Sequence, residues 1–206
     1  KQKTAYEIRP RDWSSDVCSS DLAGSIKFLA EHHARNDSRR FAETFWFGVG
    51  FYLLLGSLVG LSLLLFADTV LDRFFKVSAE AHADALLGLQ IAAVGFLLVQ
   101  LQNYLMVVPQ ALQRFDRSAS GEAFFGVVVN LVSALVALQG GGISGVLGSR
   151  VLVSLLNLLW LVWLLHRLAI PLSPVLPRAE VCRSLAHFSA HSWLSRTASK
   201  IGRAHV

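Results

Sequence analysis

Uncharged apolar runs long enough to cross a membrane dominate the chain. From Phe45 to Ala67 the residues FWFGVGFYLLLGSLVGLSLLLFA include no charge. At about 1.5 Å per residue the run reaches roughly 34 Å, enough for a hydrocarbon core of about 30 Å. A buried soluble helix of that length would show polar residues at helical spacing, and here only Ser57 and Ser62 interrupt. Ala85 to Gln113 is likewise uncharged, with Pro109 closing its apolar part. Ala123 to Leu165 holds a single charge, Arg150, and is too long for one span but suits two. Gly140-Gly141-Gly142 lies near its middle, where a helix is expected to break. The pattern predicts an all-α, polytopic transmembrane bundle with complete spans near 45–67, 86–108, 123–139 and 144–166. A fifth span is expected to begin near Leu185.

The two ends do not share this pattern. DWSSDVCSSDL (Asp12 to Leu22) resembles, codon for codon, a translated sequencing adapter, and KQKTAYEI (Lys1 to Ile8) matches the outer part of the same adapter. IGRAHV (Ile201 to Val206) reads back as the opposite adapter strand. Residues 1–22 and 201–206 are therefore expected to be adapter-derived, and the remainder an internal fragment of a longer protein. Setting them aside removes Cys18, so no disulfide or thiolate metal cluster can form around Cys182 alone. The first stretch is net neutral and the last removes Arg203, which lowers the formal charge from +5 to +4.

The basic residues lie between apolar runs rather than along one face, which favours a membrane surface over nucleic acid. Lys27, Arg35, Arg39 and Arg40 precede the first span, Arg114 and Arg117 follow the second, and Arg167, Arg178 and Arg183 follow the fourth. The intervening loops hold only Arg73 and Lys76, offset by Asp68, Asp72, Glu80 and Asp84. This bias predicts that 23–44, 109–122 and 167–184 are cytoplasmic.

Polar groups inside a bilayer need a partner or a wet cavity. Arg150 either snorkels to the outer interface or faces a polar cavity where it could hold an anion. Ser154 and Asn157 share its helix face. Asn130 and Ser133 share a face with Glu122 and Gly126, and Gln100 and Asn103 lie one turn apart. Interhelical hydrogen bonding accounts for such residues as well as a substrate would. Gly50, Gly56 and Gly60 are expected to permit close helix packing.

No catalytic residues emerge. His32-His33 reads as a solvated pair in a cytoplasmic loop. His187 and His191 are spaced for one helix face but lack a third ligand nearby, so no metal site is expected. There is no phosphate-cradling loop after a strand, no nucleophile elbow and no paired acids in a cleft. No cofactor is implied.

Three stretches together resemble the oligosaccharide flippases of polysaccharide biosynthesis, within the multidrug/oligosaccharidyl-lipid/polysaccharide exporter superfamily. They are the second helix running through Pro109 into QALQRFDRSASGE, the tight outer turn LQGGGISGVLGSR, and the proline-spaced HRLAIPLSPVLPRAEVCRSLAHFS. The resemblance implies a two-lobed bundle of twelve or more helices, with 23–184 part of the N-terminal lobe and 185–200 the start of the second. It implies a bacterial-type inner (plasma) membrane, and transport of a polyprenyl-diphosphate-linked oligosaccharide from the cytoplasmic to the outer leaflet. The bilayer and the polyprenyl-linked glycan are the expected partners, with a coupling cation as a further candidate and no nucleic acid. On this reading Arg150 is the candidate diphosphate contact, and Asn157, Asn130, Gln100 and Asn103 are candidate sugar contacts. A drug/cation antiporter of the same superfamily and a membrane polymerase or ligase are the rival expectations.

Overall fold

The computed structural model describes residues 19–75, 77–168, 170, 173–184 and 187, and every regular element among them is helical. In chain order these are α1 (Ser19–Ala34), α2 (Ser38–Leu65), the single turn α3 (Ala67–Val70) and a π-helical turn (Leu71–Phe75). Then come α4 (Ala79–Leu105), α5 (Val107–Ala111), α6 (Phe115–Leu138) and α7 (Gly142–Arg167). Four stretches are long and apolar enough to cross a membrane: Ser38–Leu65, Ala81–Ala111, Phe115–Leu138 and Gly142–Arg167. This is the architecture of a multi-pass membrane protein. The fifth span falls almost wholly outside the described residues.

The helices run past the limits that hydropathy alone suggests. Asp37 accepts a hydrogen bond from the Arg40 amide at 3.1 Å, so α2 starts at Ser38 with polar turns ahead of its apolar ones. α6 starts at Phe115, which makes RSASGE helical rather than loop. The expectation of a loop before the first span needs the larger correction, because residues 19–34 form α1, packed across α2 and α5. Ser25, Leu29 and His32 recur at helical spacing and are buried, so the local period was amphipathic though short.

α2 packs on α4, α4 on α7, and α7 on α6, giving a row of four membrane-length helices. Gly56 and Gly60 allow the first contact, as expected. A side chain at Gly56 would meet Leu97 Cδ1 at 2.8 Å, and one at Gly60 would meet the Ala93 carbonyl oxygen at 3.2 Å. Gly50 differs, since open space lies beyond it. Pro109 lacks the amide that would bond the Leu105 carbonyl, and the helix is interrupted there, between α4 and α5. Gly140 and Gly142 sit at φ +76° and +63°, a left-handed backbone that closes the tight turn into α7.

The buried core gathers at one end of the row, where Leu29, Phe41, Phe45, Tyr104, Val108 and Leu161 meet. Elsewhere Leu58, Leu61, Leu131, Leu135, Leu152 and Leu159 are exposed. Such surface would aggregate in water but matches hydrocarbon or neighbouring helices in a bilayer.

Candidate functional site

A cavity of about 230 Å³ opens between α4, α6 and α7. From α4 it takes Gln102 and Asn103, and from α7 Val153, Ser154 and Asn157. From α6 it takes Glu122, Phe125, Gly126 and Val129, which follow the i, i+3, i+4, i+7 spacing of a single helix face. The walls thus join apolar groups to three amides, a hydroxyl and a carboxylate inside helices of membrane length.

The amides are unequally satisfied. Gln102 Nε2 donates to the Ser154 carbonyl oxygen, tying α4 to α7. Asn157 Oδ1 is buried without a donor among the described residues. An acceptor left so in a low-dielectric site costs about 1–3 kcal/mol. The cavity therefore presents an unused acceptor to any hydroxyl or cation that enters.

Of the sequence candidates, Asn103 and Asn157 are brought together here and the other three are not. Asn130 is exposed and donates to the Gly126 carbonyl oxygen of its own helix at 2.8 Å. Gln100 is half-buried outside the cavity lining. Arg150 is exposed one turn from Ser154 toward the α6–α7 turn, also outside the lining. Glu122, placed by sequence at a helix end, is the wall residue that hydropathy undervalued. Its shared face with Gly126 was the available signal. Gln102 had no signal beyond its neighbour Asn103.

A second polar site lies at the end of the row where α1 packs. Glu43, with a side chain only 2% exposed, receives Arg39 Nε at 3.2 Å and Arg178 Nε at 3.5 Å. Arg178 belongs to the segment after α7, which is also held by Trp46 Nε1 donating to the Ser173 carbonyl oxygen at 3.0 Å. The basic segments before α2 and after α7 thus meet at one end. His32 corrects the expectation of a solvated pair: it is buried, its Nδ1 has no partner among the described residues, and only His33 is exposed. Burial holds the His32 imidazole below its ordinary range, against the opposing pull of Glu31 and Asp37.

Among the described residues no three His, Cys, Asp or Glu side chains group as a metal site. Cys182 is free and half-buried. Comparison of the chain with protein-family models, with curated proteins and with solved structures finds no match.

Proposed function

We propose that the chain is part of a membrane transporter that flips a polyprenyl-diphosphate-linked oligosaccharide from the cytoplasmic to the outer leaflet. The observation that supports this most is the amide-lined cavity between α4, α6 and α7, with Asn157 Oδ1 unpartnered inside it. A glycan crossing a bilayer must exchange hydration for protein hydrogen bonds while its lipid tail stays in hydrocarbon. Amides serve this because each offers donors and an acceptor to hydroxyls. Asn157 Oδ1 accepts a sugar hydroxyl, Asn103 supplies both functions, and the Ser154 hydroxyl lines the same cavity. Arg150, exposed on the same helix face, snorkels to the outer interface rather than holding the diphosphate in this cavity. The reading is one of transport, without catalytic residues.

Titration of the purified chain in detergent with a polyprenyl-diphosphate oligosaccharide tests it. Binding stronger than that of the glycan-free polyprenyl diphosphate is expected, with Asn157→Ala erasing the difference. Equal affinity for the two lipids would remove the support.

Glu122 favours a second reading, a cation-coupled drug antiporter. A carboxylate facing Asn157 Oδ1 and Asn103 across one cavity could hold a sodium ion or a proton. Sodium-dependent thermal stabilisation lost in Glu122→Gln, with no response to the glycolipid, would select it.

A further inference from the structure

On the surface of α2, Arg40, Glu43, Phe47, Gly50 and Leu54 fall at alternating spacings of three and four residues, so they form one continuous stripe. The stripe changes character part-way. Its first turns line a charged pocket of about 280 Å³, and its later turns line an apolar groove of about 620 Å³. The segment after α7 forms the opposite wall of both. Pro174, Val175, Leu176 and Pro177 face the groove, and Arg178, Glu180 and Ser184 face the pocket.

We propose that this pocket and groove bind one bilayer phospholipid with a phosphate-and-primary-amine head, the chemistry of phosphatidylethanolamine. The pocket is lined by Arg35, Arg40 and Arg178 against Glu31, Glu43 and Glu180, so its formal charge cancels. A head bearing both signs matches that balance, whereas a bare anion would meet three carboxylates. The charges also leave capacity. Arg178 meets Glu43, and Arg40 meets Asp37 at 3.6 Å, each through Nε, so their terminal nitrogens can reach a phosphate. Glu180 has no ion pair among the described residues and can take an ammonium.

Two buried polar atoms on the pocket wall independently point to a ligand. Thr44 is 1% exposed and His32 8%, yet Thr44 Oγ1 and His32 Nδ1 have no hydrogen-bond partner among the described residues. Thr44 can donate to a phosphate oxygen. The groove takes one acyl chain along Trp46, Phe47, Phe51 and Leu54. The Trp46 indole N–H is already bonded to Ser173, so it presents only carbon to that chain. The site does not depend on the glycolipid reading, since it requires only that α2 lie in a bilayer.

The test places the 206-residue chain in nanodiscs containing equal phosphatidylethanolamine, phosphatidylglycerol and phosphatidylcholine. Detergent extraction and mass spectrometry then read the lipid retained. Phosphatidylethanolamine is expected to be enriched over both others. Arg178→Gln should lower that enrichment about two- to fivefold, the range of a partly exposed ion pair. Gly50→Leu fills the groove without a clash, because nothing lies within 4 Å of its Cβ position, and it should abolish the enrichment with melting unchanged. It decides the matter if Arg178→Gln fails to fold. Retained lipid that mirrors the mixture, enrichment of phosphatidylglycerol instead, or wild-type retention by Gly50→Leu would each overturn the proposal.

Discussion

The Tyr104 ring occupies the space that a side chain at Gly48 would need: a Cβ there would fall 2.0 Å from Cζ of the ring. Tyr104 is fully buried, stacks on Tyr52 with centroids 5.2 Å apart, and directs its hydroxyl at the Thr44 and Phe45 carbonyl oxygens. This contact joins α2 to α4 at the centre of the core. Gly48→Ala is therefore expected to destabilise the fold by about 1–3 kcal/mol. Thermal unfolding in detergent reads the loss. In a Tyr104→Leu background the same substitution should cost much less, because the pair is coupled. Additive effects would show that the two residues act separately.

Glu43 should respond asymmetrically to removal of its charge and of its partners. Arg39 and Arg178 are more than half exposed, so water takes over when Glu43→Gln releases them. That variant is expected to lose about 1 kcal/mol or less. Removing both arginines strands a buried carboxylate, and the double variant Arg39→Gln, Arg178→Gln should lose about 3 kcal/mol. Equal melting temperatures for the two would contradict this order.

The buried His32 makes stability pH-dependent in one direction. Its folded pKa lies below the unfolded value of about 6.5, so the unfolded chain takes up the proton first as pH falls. Full stability is expected above about pH 6.5, with loss as pH falls through the depressed folded value. Melting curves between pH 8 and 5 should flatten in His32→Gln. A wild-type curve that rises toward acid would refute the assignment.

Asn157 should separate stability from binding. Replacing its unpartnered acceptor by Leu is expected to leave stability unchanged or raise it by about 1 kcal/mol. The same variant should lose selectivity for the glycan-bearing lipid, while Arg150→Gln keeps it. Joint loss of stability and binding in Asn157→Leu would make the residue a packing element.

The spans were legible because an uncharged run of roughly 34 Å has few alternatives to a membrane. The turn at Gly140 and Gly142 and the approach of Gly56 to Leu97 followed from residues whose missing side chain is itself the signal. Helix limits were less legible, since Asp37 and the polar turns of α6 continue the backbone beyond the hydrocarbon. Ser154 and Asn157 on the α7 wall of the cavity could be read from their shared stripe. Gln102 could not, and Glu122 was signalled only by the face it shares with Gly126, because which face of α4 or α6 meets α7 is set by tertiary packing. Glu43 stayed hidden for the same reason: its partner Arg178 lies far along the chain.

Labelling by a photoreactive polyprenyl-diphosphate oligosaccharide, with the group on the sugar, tests the central claim most directly. Peptide mapping after illumination is expected to place the label within Glu122–Val129 of α6 and Val153–Asn157 of α7, and excess unlabelled glycolipid should suppress it. Labelling spread over the lipid-facing leucines, or unchanged by competitor, would contradict a glycan site between α4, α6 and α7.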